Sequence, residues 1–298
     1  MERFLVEYAF TDLASIPFLK KETHTLGIDE GRWKECLHPK EDYYKISSRY
    51  PIYAIADGVT LEKNNQGIYP DPSGAAEVAG LFCATVVYSL KKYYDKEQPP
   101  DMKKVFYDAN HVIAEYNKNH DRSFATSNFW DNDLYATCAV YACIYNNVVY
   151  WASIGDCLIS HLRKGVCVFT SPNQMRPIVN SLPDEWASYS KQEVKKLIRS
   201  TYRNSLDEQG VITGYGSATG ENNAEHYLQS DTFSLTTGDK VILYSDGFEA
   251  YFTHHEWISL LASDHCTQGS ISTMTKHYEA IDPDTYGREK TIISIKVT

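Results

Sequence analysis

Between Tyr135 and Thr170 the chain passes through four apolar segments, TCAVYACIY, VVYWASIGD, CLISHLR and VCVFT, with Asn146-Asn147 and Lys164-Gly165 between the outer pairs. Runs rich in β-branched and aromatic residues, punctuated by dipeptides that accept positive φ, predict a four-strand meander with hairpin turns. A chain containing such a block must build a large sheet. DYYKISSRYPIYAIAD predicts an earlier strand pair ending at Asp57, while GDKVILYSDGF and KTIISIKV predict two late strands, the first ending at Asp246. Helical spacing fills the gaps. Ser73 is placed to cap a helix through GAAEVAG and LFCATVVYSLKKYYD, Pro99-Pro100 closes that region, and DMKKVFYDANHVIAEYN predicts a second helix. Trp186, Tyr189, Val194, Leu197, Ile198 and Tyr202 give residues 185–206 a third, with the Lys and Arg residues from 191 to 203 as its solvated face. The order of strands, two helices, strands, helix, strands lacks the steady alternation of a doubly wound parallel sheet. It predicts an α+β fold, a four-layer α-β-β-α sandwich with two antiparallel sheets flanked by helices. No repeat or long linker divides the sequence, so residues 1–298 are expected to form a single domain.

Charge narrows the function. Against 39 Asp and Glu there are 29 Lys and Arg, a net charge of −10, with no long basic run. Binding to phosphate backbones rests on Lys and Arg displacing counterions, so nucleic acid is disfavoured and no nucleic-acid partner is expected. No stretch reaches the roughly 20 apolar residues of a membrane span, and MERFLVEYAF lacks the layout of a leader. The expectation is a cytoplasmic monomer without a membrane partner. Seven cysteines, odd in number and without a C-x-x-C, indicate reduced thiols rather than disulfides or a zinc knuckle. Cys138, Cys143 and Cys167 lie in apolar runs, where a free thiol packs as a small hydrophobe.

Acids stand at the strand ends: Asp57 in AIADG, Asp156 in SIGDC and Asp246 in LYSDG, with Glu41-Asp42 opening an earlier strand. One Asp-Gly alone is a common turn dipeptide and carries nothing. Several carboxylates gathered in one partly buried place raise one another's pKa and call for a counter-charge, which a divalent cation supplies. Oxygen donors select a hard ion, Mg²⁺ or Mn²⁺, and the glycines after Asp57 and Asp246 let the backbone approach it. Neither a G-x-S-x-G elbow nor a P-loop is present, which disfavours acyl transfer and nucleotide hydrolysis. His254-His255 reads as a solvated helix start rather than a ligand pair.

The ordered set Glu41-Asp42, Ala56-Asp57-Gly58, Gly155-Asp156, Ser245-Asp246-Gly247 and REKT from Arg288 resembles the motifs of the metal-dependent PP2C-type (PPM) protein phosphatases. SGAAEVAG and the stretch from TGYGSATGE to YSDGF are similar to bacterial-type, single-domain members. The resemblance covers nearly the whole chain. It implies a phosphomonoesterase with two Mg²⁺ or Mn²⁺ ions, acting on phosphoserine or phosphothreonine in proteins. Asp57 would bridge the ions, Gly58 would add its carbonyl, Glu41 or Asp42 would hold one ion and its waters, and Asp246 would hold the other. A water between the ions would attack phosphorus in line. Asp156 falls where some members bind a third, weaker ion. Asp57, Asp246 and Asp42 are the residues on which catalysis would rest.

The chain also departs from the pattern. The family's final metal-binding aspartate falls on Arg288, which cannot ligate a cation. Glu289 stands beside it as a substitute ligand, and strand alternation then requires a local bulge or turn. Arg288 is alternatively a group for the substrate phosphate. Val59 falls where some members have a histidine for the leaving group, and Leu37 where many have a phosphate-binding arginine, leaving Lys40 or His38 for that role. Ala250 replaces a further acid, with Glu249 adjacent. Two alternatives share the motifs: a catalytically weak regulatory module that binds a phosphoprotein, and a phosphatase of small molecules.

Overall fold

The computed structural model describes residues 7–9, 23–30, 40–60, 73–123, 125–127 and 132–297. Two antiparallel sheets lie face to face. One takes β1 (Glu7–Ala9), β2 (Thr23–Glu30), β11 (Lys290–Val297), β10 (Lys240–Tyr244), β7 (Leu158–Arg163) and β8 (Val166–Thr170), in that order. The other takes β3 (Asp42–Ile46), β4 (Ile52–Gly58), β5 (Thr137–Tyr145), β6 (Val148–Ile154) and β9 (Gln229–Ser234). Strand alternation sorts the core into layers. Ile55 of β4, Val140 and Ala142 of β5, Val241 and Leu243 of β10 and Ile293 and Ile295 of β11 meet between the sheets. Ile52, Ala54 and Ala56 of β4 and Ala139 and Tyr141 of β5 point the other way, onto α1 (Gly74–Asp95) and α2 (Met102–Asn119). Ile242, Tyr244 and Ile292 cover the opposite outer face with α5 (His255–Ala262) and α6 (Gln268–Ile281). These layers match the sandwich expected from the sequence. The apolar length of α1 serves the core, since Val78, Phe82, Val86 and Leu90 all point into it.

The meander is corrected. Its two hairpins form as expected, with Asn146 and Asn147 at φ 53° and 62° and Lys164 and Gly165 at 52° and 81°. They belong to different sheets, however, because Gly155-Asp156 carries the chain from β6 across to β7. Gly155 has φ +81°, and a Cβ there would stand 2.3 Å from the Cys138 sulfur, so the crossing needs glycine.

Residues 185–206 are also corrected. A 3-10 turn covers Asp184–Ser188, and α4 (Lys191–Tyr202) follows, capped by Ser190 in a box with Glu193. The short α3 (Met175–Asn180) precedes them, and α7 (Pro283–Tyr286) leads into β11. The basic run is not wholly a wet face: Arg199 and Arg203 are buried. The His254 ring stacks on Tyr278 at 4.4 Å, and its Nε2 lies 2.6 Å from the Tyr286 hydroxyl.

Candidate active site

One end of the seam between the sheets opens into a cleft of about 720 Å³, lined by Glu41, Asp42, Asp57, Asp156, Asp246 and Glu289 among others. Backbone pairing places the acids there. Asp42 is the register partner of Asp57 across β3 and β4, and Asp57 that of Cys138 on β5. On β4, Asp57 continues the series Tyr53 and Ile55 that faces the second sheet, so core alternation also aims its carboxylate. From the opposite sheet, Asp246 follows β10 and Glu289 precedes β11. Glu289 shares the parity of Ile293 and Ile295 and sits on the seam side in the turn directly before β11, so of the bulge or turn expected no bulge is needed. A Cβ on Gly247 would lie 2.0 Å from the Glu289 carbonyl oxygen, so the close approach of these two segments requires glycine.

Polar groups of the protein fix the acidic pair. Glu41 accepts from Thr60 Oγ1 at 2.5 Å and from the Ser73 hydroxyl, which is also the N-cap of α1. Asp42 accepts from Ser245 Oγ at 2.7 Å, and that oxygen accepts the Thr291 amide at 2.9 Å, tying the two sheets together. The Glu289 carboxylate accepts the backbone amides of Glu41, at 3.0 and 3.1 Å, and of Asp42, at 3.0 Å. Beneath that turn, the fully buried Lys290 donates to Glu279 at 2.5 Å and to the carbonyls of Tyr286 and Arg288 at 2.8 and 3.3 Å. Exposed Arg288 reaches Asp246, Nη1 to Oδ2, at 3.3 Å.

Electrostatics separate Asp57 from an ordinary turn aspartate. Burial pushes its pKa well above the carboxylate range, and the charges of Asp42, Asp246, Asp156 and Glu289 all push the same way. Burial, aided by Asp246, raises Asp156 to about 7. Burial also raises the Cys138 thiol between them, so it stays protonated.

Among the sequence candidates, Glu41, Asp42, Asp57, Gly58, Asp156, Asp246, Arg288 and Glu289 line the cleft. Lys40 is exposed and is not among the lining residues, and His38 and Leu37 lie outside the described residues. Val59 lines the cleft and offers no proton. Glu249 accepts from Asn173 at 2.9 Å and Arg176 at 2.7 Å, which attaches the segment after β8 to the cleft mouth. Gln174 anchors the same segment, accepting the amides of Gly155 at 2.8 Å and Gly216 at 3.0 Å. Sequence reasoning missed the bracing by Ser245 and Lys290, although a serine directly before the Asp246-Gly247 turn was a readable signal.

Among the described residues no three Asp, Glu, His or Cys side chains close around one point to form an ion cage. Thr60 and Ser73 hold Glu41, backbone amides hold Glu289, and Arg288 holds Asp246. The donor chemistry nevertheless fits a hard cation: the acids offer only oxygen, and the repulsion on Asp57 calls for positive charge.

The sequence matches no family model, and no curated protein matches it. Solved structures do match. The catalytic domain of the serine/threonine protein phosphatase PstP, in complex with two manganese ions, superimposes with a TM-score of 0.58 at 14% identity, over 93% of this chain and 98% of that one. This is the PP2C-type phosphatase fold. PppA, a regulatory component of the T6SS in Pseudomonas aeruginosa, gives 0.56 at 14% identity over 93% and 98% of the two chains. RsbX in complex with magnesium gives 0.53 at 12% identity, with both chains covered fully.

Proposed function

We propose that this chain is a metal-dependent phosphomonoesterase acting on phosphoserine or phosphothreonine in proteins. The observation that carries the proposal is Asp57, whose carboxylate is crowded by Asp42, Asp156, Asp246 and Glu289 at the end of the seam. The PP2C-type fold and the manganese and magnesium in PstP and RsbX support it. Asp57, Asp246 and the Gly58 carbonyl are the groups to hold Mg²⁺ or Mn²⁺, two ions in the simplest reading. Asp156 is a site for a further ion, and Glu289 is a ligand that must share its oxygens with the amides of Glu41 and Asp42. Such ions, when bound, lower the pKa of a water and neutralise charge on the phosphoryl oxygens. Glu41 and Asp42, fixed through Ser73, Thr60 and Ser245, orient waters at the cleft floor. Burial and like charge raise the Asp57 carboxyl, and bound cations would oppose that rise and keep it ionised. Arg288 would leave Asp246, once that carboxylate holds an ion, for the substrate phosphate, which a guanidinium binds through two hydrogen bonds. Val59 leaves the leaving-group proton to solvent.

The test is hydrolysis of p-nitrophenyl phosphate and a phosphothreonine peptide in EDTA, Mg²⁺ and Mn²⁺, with Asp57→Asn as control. Metal-restored turnover that disappears in the mutant is the expected result. Undiminished turnover in Asp57→Asn refutes the site. The Arg288–Asp246 pair favours a second reading, a phosphoprotein-binding relative of low turnover. Mn²⁺ binding by calorimetry without hydrolysis of either substrate would select it.

A further inference from the structure

The outer wall of the cleft is α4, which places Lys195, Ile198 and Arg199 along it, and α3 adds the exposed Val179. Apolar burial does little to hold α4, since Ile198 is its one buried apolar side chain. Charge holds it instead. Asp133, in the loop before β5, meets Arg199 Nε at 2.8 Å and Arg203 at 2.8 and 3.1 Å, and all three residues are buried. Glu221 lies 3.9 Å from Arg203 and balances the second guanidinium.

The attachment continues toward the acids. Asn204, just past α4 at φ 50°, donates to Ser217 O at 3.0 Å and Thr219 Oγ1 at 3.1 Å, and accepts the Ser217 amide at 2.9 Å. Ala218 between them bridges to Thr137, whose hydroxyl donates to the Asp57 carbonyl at 2.8 Å. The wall is thus fixed in register with the cleft floor.

Pairing also decides which cation on the wall faces a ligand. Glu249 engages Arg176, Asp246 engages Arg288 and Asp133 engages Arg199. Exposed Lys195 has no such partner among the described residues, and Ile198 lies one turn along the same helix face. An exposed cation on a wall that also carries the exposed apolar Val179 complements an acidic side chain near an apolar one.

We infer that Asp133 is a positioning residue for substrate selection: it clamps α4 so that Lys195, on a wall that also carries the exposed Val179, reads the residues flanking the phosphorylated one, favouring acidic and apolar neighbours. The inference rests on the phosphatase reading and adds a substrate class to it. Two phosphothreonine peptides test it, one flanked by Leu and Glu and the other by Ser and Lys. Each is followed by kcat and KM and, when fluorescently labelled, by anisotropy, with p-nitrophenyl phosphate as the substrate without flanks. Lys195→Glu should weaken the Leu/Glu peptide about five-fold and erase its advantage, while p-nitrophenyl phosphate changes by less than about two-fold. Asp133→Asn should raise KM for that peptide about ten-fold with kcat for p-nitrophenyl phosphate nearly unchanged. Equal losses on all substrates, or no shift in peptide affinity, would overturn the proposal. Should Asp133→Asn fail to fold, Lys195→Glu, at an exposed position, still decides. If no variant hydrolyses p-nitrophenyl phosphate, the phosphatase reading fails and anisotropy alone judges the wall.

Discussion

Asp57 and Asp133 both adjoin β5, and their surroundings are opposites. Asp133 is enclosed by two guanidiniums and is electrically complete within the chain. Asp57 faces Asp42, Asp156, Asp246 and Glu289, all of the same sign. A charge cluster that serves architecture neutralises itself, because an unpaired buried charge costs several kcal/mol. A cluster left unbalanced waits for something the chain does not contain. Asp133 holds α4 at the cleft wall and Asp57 lines the cleft itself, so the contrast separates what holds the cleft from what the cleft holds.

The largest effect should come from removing the imbalance. Asp57→Asn should cut hydrolysis by about a thousand-fold or more, since a ligand and its charge are both lost. The same change should raise the melting temperature in EDTA, because a repelled carboxylate becomes neutral. A lower melting temperature in EDTA would show that Asp57 is balanced within the chain after all. Next in size is the clamp. Asp133→Ala takes a carboxylate from two buried guanidiniums, Arg203 keeping Glu221 at 3.9 Å, and should cost about 3–5 kcal/mol in urea unfolding, whereas Asp133→Leu with Arg199→Met and Arg203→Met should recover most of it. A loss below about 1 kcal/mol would mean that the three charges are solvated.

A third test uses acid. Asp156 binds its proton more tightly when folded, up to about 7 from the ordinary 3.8. The folded protein therefore holds more protons than the unfolded chain in that window, and stability must fall as pH rises through it. In EDTA the melting temperature should drop between about pH 4 and pH 7 and then level off. Mn²⁺ should reverse the drop, and a melting temperature flat across the window in EDTA would contradict the crowding. The smallest effect belongs to Arg288→Asp, which removes an exposed pair and adds a carboxylate beside Asp246. Stability should move by less than about 0.5 kcal/mol. The midpoint of a Mn²⁺ titration should nonetheless fall, and an unchanged midpoint would show that position 288 takes no part in holding the ion.

How much of this was legible depended on range. Alternation in AIAD and ILYSD revealed both strands and their terminal acids, because period-two patterning is local. The last strand begins at Lys290, as KTIISIKV indicated, and the same rule puts Lys290 away from the seam and Glu289, directly before it, on the seam side. Alternation says nothing about which sheet a strand joins, so the Gly155-Asp156 crossing was invisible and the two hairpins read as one meander. β9, with the sequence QSDTFS, is mostly exposed at a sheet edge and lacks the apolar signature altogether. The clamp had no local trace. Asp133 and Arg203 stand 70 positions apart, and a lysine and arginine run looks the same in sequence whether two of its members are buried or all are wet.

The hydrogen bonds from Ser245 to Asp42 and from the Glu41 amide to Glu289 cross from one sheet to the other. A half-formed protein with either sheet alone would own only part of the acidic set, so the complete set exists only after the sheets have docked. Any ion bound there is bound by the assembled sandwich and not by its halves. By mass action it draws partly assembled chains toward the native state, by RT ln(1 + [L]/Kd). Ion concentration would then govern how much of the protein is intact as well as how fast it turns over.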